Sequence, residues 1–364
     1  MKIAHATYGH TDPADPARDR NAMLLVNWGL WCGVQLAAER MSAEAIDLSP
    51  PLGPRGIRRD LHADLSRVVP ADILLFQGGV SLHVVERMRE IAPDCILLEQ
   101  RESTHAKSWL ALMHAAMERH DIRWQTGYDN PAGMARDLRE YDLAKKILVP
   151  SGFVASTFVE HGLGDKVLYY GPSLCEFWPV DLARPPFPFR VLHAAQLGLR
   201  KGTLDVFAAW RQFRAASPKR DAILAIAGLP EHGAPTELKQ RLDREFRTTP
   251  DVVKLNWLTR EQLRRAYADA HVVLMPSVED GATMVGVEGA YAGCAIVSTH
   301  NAGIDLPCVD VDDVDEIADA LEQLASDPTL RAGLARRAHD AARSLCGLDA
   351  YAGRVAGAIE EAVR

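Results

Sequence analysis

Short apolar runs alternate with longer segments of helical periodicity along nearly the whole chain, and this alternation restricts the fold more than any other feature. Residues 73–76 are apolar at every position, which is typical of a strand buried on both faces of a sheet. Strands that are separated by helices form parallel sheets through right-handed crossovers. The sequence therefore predicts an α/β protein built on parallel sheets.

The predicted strands fall into two groups on either side of a proline-rich segment. They are expected at 2–7, 44–48, 72–76, 95–99, 145–149 and 166–170, and again at 189–195, 221–227, 252–256, 271–275 and 294–298. Residues 171–188 hold five prolines, which favour extended chain over helix. A length of 364 residues also suits two domains of about 150 residues each. We expect Rossmann-like domains at 1–178 and 179–346, followed by a C-terminal helix at 347–364 that can pack back on the N-terminal domain.

Composition and charge exclude several functional classes. The 41 basic and 49 acidic residues give a net charge of 41 − 49 = −8, which argues against a nucleic-acid-binding protein. No run approaches the ~18 apolar residues of a membrane span, and the N-terminus lacks the apolar region of a signal peptide. The six cysteines lack metal-ligand spacing, so we expect reduced thiols and no metal site. These features predict a cytoplasmic protein without a transmembrane segment and leave peripheral membrane contact open.

A basic turn follows the first strand of the second half. It reads Leu199-Arg200-Lys201-Gly202 and leads directly into a predicted helix. Arginine offers a planar fork for phosphate oxygens, and lysine offers a compact positive charge. The turn is therefore a candidate phosphate site, although a solvated basic turn would have the same sequence.

An acidic segment follows a later strand, at 271–275. It contains Asp280 and Gly281, and a helix is expected to begin near Thr283, so that its first N–H groups can bind an anion. Glu288 lies about one turn inside this helix, where a carboxylate can bind two ribose hydroxyls. The alternative for Glu288 is an exposed glutamate on a capped core helix.

Taken in order, these motifs resemble the donor site of the family-4 retaining glycosyltransferases of GT-B fold, known as glycosyltransferase group 1. The family pattern is roughly Pro-Ser-x-x-Glu-Gly-Phe-Gly, with a second Glu eight positions after the first and then Ala-x-Ala-x-Gly. This sequence has Asp280 in the first acidic place and otherwise matches at Pro276, Ser277, Gly281, Glu288, Ala292 and Gly293. The resemblance covers nearly all of the second half and the end of the first half.

The resemblance implies two Rossmann-like domains whose parallel sheets face an interdomain cleft. It implies a hexosyltransferase that moves a sugar from a UDP- or GDP-sugar to a saccharide or lipid-linked acceptor, with retention, in cell-surface polysaccharide or glycoconjugate biosynthesis. The nucleotide sugar is a substrate, so no cofactor is expected. The residues that the resemblance assigns to the donor are Lys201 and Arg200 for the diphosphate, Asp280, Gly281, Ala282 and Thr283 for the sugar and pyrophosphate, Glu288 for the ribose, and Leu258 near the base.

Three places depart from the family pattern. The family often has Gly-Arg ahead of the lysine, where this chain has Ala195-Gln196. Gln196 then stands in place of a cation, and Arg200 is the candidate replacement. Ala282-Thr283 replaces Phe-Gly, and Asn256-Trp257 stands where the family usually has glycine near the base.

The acceptor side is expected in the first half, where the sequence is less informative. Gly9 follows the first predicted strand, and Gly78 and Gly79 follow strand 72–76. Arg101 is a candidate contact to an acidic acceptor. His105 is a candidate catalytic residue, because the family often places a histidine after the strand at 95–99, touching the donor sugar.

Two other functions fit the same fold. A nucleotide-sugar epimerase of GT-B fold would need a catalytic carboxylate and histidine set in the first half, which the sequence does not identify. A non-catalytic nucleotide-sugar-binding protein would keep the fold without needing the charged donor set, which is intact here. A glycosidase pair formed by Asp280 and Glu288 is disfavoured, because a hydrolase does not use the phosphate that the basic turn suits. The sequence does not indicate the oligomeric state.

Overall fold

The computed structural model of the chain describes residues 1–6, 22–48, 68–79, 82–184 and 187–364. Within these residues it contains two sheets of six strands each, and every strand pair in them is parallel. The chain divides into two compact units. Unit 1 comprises residues 1–108, 126–174 and 348–364, and unit 2 comprises 109–125 and 175–347. The predicted α/β class with two parallel sheets is confirmed.

The strands and helices alternate as the sequence predicts. The strands are β1 (Lys2–Ala6), β2 (Glu44–Asp47), β3 (Ile73–Gln77), β4 (Ile96–Gln100), β5 (Lys146–Val149), β6 (Val167–Tyr169), β7 (Phe189–Ala194), β8 (Ala222–Ala227), β9 (Val252–Asn256), β10 (Val272–Met275), β11 (Ala295–Ser298) and β12 (Val309–Asp310). The helices are α1 (Ala22–Arg40), α2 (Leu82–Ile91), α3 (Ala106–His120), α4 (Pro131–Leu143), α5 (Gly152–Glu160), α6 (Thr203–Ala216), α7 (Thr236–Thr248), α8 (Arg260–Asp269), α9 (Met284–Tyr291), α10 (Val314–Ser326), α11 (Pro328–Leu345) and α12 (Leu348–Val363). Each predicted strand agrees with an observed one to within one residue at either end.

The sheet of unit 1 has the order β2-β1-β3-β4-β5-β6. Every residue of β3 is buried, as its apolar run predicts. The last helix, α12, packs against α1 within this unit. The C-terminal segment therefore completes the unit that begins at the N-terminus.

The sheet of unit 2 has the order β12-β11-β10-β7-β8-β9 and is covered on both faces. Along β10, Val272 and Leu274 belong to the core that includes Trp210 of α6 and Leu321 of α10. The alternate residue Val273 belongs to a second core, with residues of α9 and α11. This alternation follows from the period of two along a strand. The central strands are thereby fixed, and so are the segments that leave their carboxyl ends.

Local sequence signals fix several helix boundaries. Before α8, the Thr259 hydroxyl accepts from the Gln262 N–H at 3.3 Å, and the Gln262 side chain accepts from the Thr259 N–H at 2.9 Å, so these two residues form a capping box. Asp327 caps α11, whose first residue is Pro328. The sequence analysis missed α7 and the short edge strand β12.

One segment lies elsewhere than its place in the sequence suggests. Residues 109–125 precede the expected domain boundary by more than fifty positions, yet they belong to unit 2. Met113, Met117 and Ile122 are buried in the core that contains Trp210. His120 Nε2 also lies 3.1 Å from a carboxylate oxygen of Asp205, at the start of α6. Burial of these apolar side chains holds the segment in unit 2.

Candidate functional site

The basic turn (residues 195–202) and the acidic loop (residues 276–283) lie against each other in unit 2. They follow β7 and β10, which are neighbours in a parallel sheet, so both strands end at the same edge. The Arg200 carbonyl accepts hydrogen bonds from the N–H groups of Val278 at 2.9 Å and Glu279 at 3.3 Å. Gly202 has a φ of +61°, and a Cβ at this position would lie 1.8 Å from the Pro276 carbonyl oxygen. Only glycine permits this approach of the two segments.

The two cations of the basic turn are held by carboxylates. The Lys201 ammonium donates to Asp280. One guanidinium nitrogen of Arg200 lies 3.3 Å from a Glu279 carboxylate oxygen and 3.6 Å from one of Asp280. Another lies 3.8 Å from a carboxylate oxygen of Glu231, which follows β8. The strand ends thus gather two cations and three carboxylates into one largely buried group, which we call the charged cluster.

The opposite charges in this cluster favour one another's ionised forms, and this shifts their pKa values. Burial by itself raises the pKa of Asp280, but Lys201 and Arg200 outweigh burial and hold that pKa below its usual value. Burial lowers the pKa of Lys201, and Asp280 offsets only part of this effect. Burial would also lower the pKa of Arg200, yet the three carboxylates outweigh it and raise that pKa. Asp280 is therefore ionised at neutral pH, and Arg200 is protonated.

A buried histidine, His193, connects the basic turn to β10 through hydrogen bonds. Burial lowers the pKa of His193 to about 4, so its ring is neutral. Its Nδ1 lies 3.0 Å from the Leu274 carbonyl and therefore carries the proton, which leaves Nε2 to accept from the Thr203 hydroxyl at 3.2 Å. The Thr203 oxygen accepts in turn from the Gly198 N–H at 3.1 Å. This chain of hydrogen bonds ties the turn to β10.

The acidic loop is held by the segment that follows β11. The Asn301 side-chain amide donates to the Val278 carbonyl at 3.0 Å, and its backbone carbonyl accepts from the Asp280 N–H at 2.8 Å. The Thr299 hydroxyl donates to the Ser277 carbonyl at 2.7 Å. Three successive strand ends thus fix the position of Asp280.

The acidic loop ends at the N-terminus of α9. Thr283 caps this helix, because its hydroxyl oxygen accepts from the Gly286 N–H at 3.3 Å. The same hydroxyl donates to the Met275 sulfur at 3.2 Å. Thr283, where the family pattern has glycine, is therefore occupied in capping. Gly281 and Ala282 precede it, so their backbone lies between Asp280 and the helix terminus, where N–H groups favour an anion.

Glu288 is buried, so the alternative of an exposed glutamate on a core helix is wrong. One carboxylate oxygen accepts from the Tyr267 hydroxyl at 3.0 Å, and the other lies 3.2 Å from the Arg260 guanidinium. Arg260 also lies 3.3 Å from Glu176. Burial raises the pKa of Glu288, against the opposing effects of Arg260 and Tyr267. Among the described residues each oxygen has one hydrogen-bonding partner, and a carboxylate oxygen can accept more than one hydrogen bond.

Three candidates near the predicted base and diphosphate differ in exposure. Leu258 is partly buried against the core that contains Val273. Trp257 beside it is 62 % exposed and follows Asn256, whose φ is +54°. Gln196 is exposed on the basic turn. The roles assigned to Leu258 and Gln196 stay predictions.

In unit 1, Gly78 and Gly79 form a turn over buried charged side chains. A Cβ on Gly78 would lie 2.1 Å from a Glu99 carboxylate oxygen, and the Gly79 N–H donates to Glu140. Arg101 is also buried there, with one guanidinium nitrogen 2.7 Å from Asp137. Arg101 thus stabilises the buried group under the turn. This geometry gives no support to Arg101 as an acceptor contact, and that role stays a prediction.

His105 is a buried, neutral side chain of unit 1. Its ring stacks on His161 with centroids 4.0 Å apart, and its Nδ1 accepts from the Lys107 N–H at 3.2 Å. Burial, followed by His161 and Arg101, lowers the pKa of His105 to about 3. A catalytic role for His105 stays a prediction. Gly9 lies outside the described residues.

Sequence reasoning missed several groups that the structure brings to the site. Glu231 and Glu279 join the charged cluster, and Arg260 and Tyr267 hold Glu288. Arg260 and Tyr267 are seven residues apart on α8, so helical spacing places them on one face and could have drawn attention to the pair. No sequence signal links Glu231 to Arg200.

The described residues show neither a metal-binding group nor a membrane-spanning helix. In that part of the chain, no group of three or more histidine, cysteine or acidic side chains is placed to hold a metal ion. None of the helices described is long and apolar enough to span a bilayer.

Comparison with protein families identifies the segment that carries the site. Residues 188–327 match the family described as Glycosyl transferases group 1. This segment contains the basic turn, the acidic loop, Glu231 and Glu288. The predicted resemblance to this family is confirmed for residues 188–327. A search of curated protein sequences returns no match to this chain.

Comparison with solved structures gives the fold of the whole chain. Sucrose-phosphate synthase from Thermosynechococcus elongatus is similar, with 14 % identity, 99 % of this chain and 98 % of that chain covered, and a TM-score of 0.66. Anabaena HepE, solved in complex with UDP-glucose, shows 14 % identity over 99 % of this chain and 100 % of its own, with a TM-score of 0.64. An α,α-trehalose 6-phosphate synthase from Burkholderia multivorans shows 11 % identity over 99 % and 98 %, with a TM-score of 0.67. The predicted GT-B fold is confirmed.

Proposed function

We propose that this chain of GT-B fold, with its glycosyl transferases group 1 segment, is a retaining hexosyltransferase. It would move a sugar from a nucleotide-diphosphate sugar to a saccharide or lipid-linked acceptor. The observation that carries the proposal is the hydrogen-bonded contact of the basic turn with the acidic loop, which brings Lys201 and Arg200 beside Asp280, in the loop that leads into α9. We place the reaction in the cytoplasm, in cell-surface polysaccharide or glycoconjugate biosynthesis.

The reaction that we propose breaks the bond between the anomeric carbon and the leaving diphosphate. A bond from an acceptor hydroxyl oxygen forms on the same face of the sugar, and the acceptor proton passes to the leaving phosphate. Negative charge grows on the diphosphate as its bond breaks, so preorganised cations stabilise the transition state more than the ground state. Lys201 and Arg200 are held in place by carboxylates, His193 and the Val278 N–H, and they would supply that charge.

The donor would be held by groups before, at the start of and within α9. The N–H groups at its start suit the pyrophosphate, and Asp280 can accept hydrogen bonds from sugar hydroxyls. Each Glu288 oxygen has one hydrogen-bonding partner among the described residues, and the remaining acceptor capacity of the carboxylate would suit the two hydroxyls of a ribose. The UDP-glucose bound by HepE favours a UDP-sugar as the first donor to test.

Nucleotide binding is the first test. A ligand at about 100 times its dissociation constant adds about 2.7 kcal/mol to the free energy of unfolding, so a thermal-shift screen with UDP, GDP, ADP and TDP would reveal the nucleotide. Lys201→Ala should reduce kcat by about 10²-fold or more, because one group that stabilises developing charge contributes about that factor. The matched control is Lys219→Ala, which removes an exposed lysine of the same unit. If both Lys201→Ala and Glu288→Ala left nucleotide binding and transfer unchanged, the site would be assigned wrongly.

The reaction type is tested by its products. Incubating UDP-sugars without acceptor separates transfer from epimerisation, because only an epimerase would convert the sugar in that mixture. With an acceptor, the anomeric proton coupling in the NMR spectrum of the product reports the configuration. An inverted product would refute retention and leave the transferase assignment intact.

A further inference from the structure

The cations of the charged cluster are compensated by carboxylates of the protein itself. Arg200 and Lys201 contribute two positive charges, and Glu231, Glu279 and Asp280 contribute three negative charges. With all five side chains ionised, the net charge of the cluster is 2 − 3 = −1. A nucleotide-diphosphate sugar brings about two further negative charges. Since like charges in a largely buried site repel strongly, the donor enters an unfavourable field unless one carboxylate loses its charge.

The three carboxylates differ in how well they are compensated. Asp280 is hydrogen-bonded to Lys201, and Glu279 lies 3.3 Å from the Arg200 guanidinium, whose nitrogen also donates to the Glu279 carbonyl at 3.1 Å. The Oε1 of Glu231 is 3.8 Å from Arg200, which is beyond hydrogen-bond distance. Its Oε2 is buried and has no hydrogen-bond partner among the described residues. Glu231 is therefore the carboxylate whose charge is least stabilised.

The position of Glu231 is fixed by the backbone. Its N–H donates to the Leu197 carbonyl at 2.9 Å, which anchors it beside the basic turn. A Cβ on Gly198 would lie 2.4 Å from its Oε2, so the carboxylate occupies the space that a side chain at position 198 would need. Among the described residues, the ionisable groups that act on its charge are Arg200, Lys201 and Glu279. Burial, reinforced by Glu279, raises the pKa of Glu231 above its usual value against the two cations.

We propose that binding of the nucleotide sugar is coupled to the uptake of one proton and that Glu231 is the group that takes it. Protonation of Glu231 changes the net charge of the charged cluster from −1 to zero. It also removes one of the three carboxylate charges that attract Arg200, so that the Arg200 guanidinium can turn towards the diphosphate. Glu231 then acts as a positioning residue, through Arg200. This inference rests on the proposed function, because it requires an anionic donor at the charged cluster.

Isothermal titration calorimetry measures the proton uptake directly. UDP-glucose, GDP-mannose and ADP-glucose are each titrated into the whole protein, because their diphosphate diesters do not themselves titrate between about pH 5 and about pH 8. The one that binds is repeated in buffers of different ionisation enthalpy. We expect up to one proton taken up per donor and, above the pKa of Glu231 in the free protein, a dissociation constant that rises about tenfold per pH unit.

Substitution assigns the proton to a residue. Glu231→Gln should abolish the uptake and make the affinity independent of pH, and the variant should bind more tightly than wild type at about pH 8. If the glutamine variant does not fold, Glu231→Ala replaces it in the same measurement of proton uptake. Glu237→Gln, which removes the same charge from an exposed position on α7, should keep the uptake of the wild type.

The outcomes separate this inference from the proposed function. If a nucleotide sugar binds without proton uptake, or if Glu231→Gln takes up as many protons as wild type, the inference is wrong and the donor site stands. If none of the three nucleotide sugars binds, the proposed function fails and the inference fails with it. The wild-type titration decides the existence of the uptake even if no variant folds.

Discussion

Replacing Gly202 with alanine tests the contact between the basic turn and the acidic loop. A Cβ at this position would lie 1.8 Å from the Pro276 carbonyl oxygen, whereas real Cβ contacts are essentially never shorter than 3.0 Å. The two segments must therefore move apart by more than one ångström. Gly202 also has a φ of +61°, a conformation that alanine adopts only with strain.

The expected cost follows from these two effects. The left-handed conformation costs alanine about 1–2 kcal/mol, and the loss of chain entropy in the unfolded state returns about 0.4–1 kcal/mol. Separation of the segments also breaks the two hydrogen bonds accepted by the Arg200 carbonyl, at 2.9 and 3.3 Å. Each contributes about 0.5–1.5 kcal/mol net. We expect Gly202→Ala to lower the free energy of unfolding by about 2–4 kcal/mol and to weaken nucleotide binding.

Gly233→Ala is the matched control within unit 2. Gly233 has a φ of +76°, and a Cβ there would meet no atom within 4 Å, so this variant reports the conformational cost alone. Equilibrium unfolding in guanidinium, extrapolated linearly to water, measures both variants. We expect Gly202→Ala to be the less stable by about 1–3 kcal/mol, and only this variant should lose the thermal shift with nucleotide. Equal destabilisation of the two variants would refute the role of the close contact.

Three further predictions concern the partner of Glu288, the buried Glu99 of unit 1 and the support of the acidic loop. Tyr267→Phe removes the hydroxyl that donates to Glu288, so we expect a loss of about 1.5–3 kcal/mol in unfolding experiments and a higher KM for the donor; an unchanged KM would contradict the ribose role. Glu99 is fully buried, and burial raises its pKa well above the usual value, so its stabilising contribution is complete below the unfolded value of about 4.3 and is lost as pH rises through the folded pKa. Glu99→Gln should therefore gain stability relative to wild type with rising pH, and a constant difference in denaturation midpoints between about pH 4 and about pH 8 would contradict this. Asn301→Ala removes the amide that donates to the Val278 carbonyl, so we expect a weaker nucleotide affinity in calorimetry with a stability loss of about 1 kcal/mol, and an unchanged affinity would show that the acidic loop holds its position without this bond.

The pattern of strands and helices could be predicted from the sequence because periodicity is a local property. Apolar runs mark the strands to within one residue, and Thr259 and Asp327 mark helix starts through bonds to residues two or three positions away. The contact between the basic turn and the acidic loop depends on β7 and β10 being neighbours in the sheet, and the structure supplies that strand order. A glycine at 202 agrees with that contact.

The state of the charged groups could not be predicted in this way. Arg200 meets Glu231 across 31 positions of sequence and Glu279 across 79, and no local pattern records such pairs. The family resemblance makes His105 a candidate site residue, and Arg101 is a candidate at the end of the same strand, yet both side chains are buried among partners in unit 1. Burial depends on which elements pack above a residue, and that is a property of the whole unit.

The sequence by itself determined the α/β class, the two parallel sheets and the segment that carries the donor motifs. Only the tertiary structure decided that residues 109–125 pack in unit 2, that Arg260 and Tyr267 hold Glu288, and that three carboxylates surround two cations at the basic turn. The physical reason is the distance along the sequence over which each interaction acts. Backbone conformation responds to neighbours a few residues away, whereas charge compensation and burial depend on contacts between segments that only folding brings together.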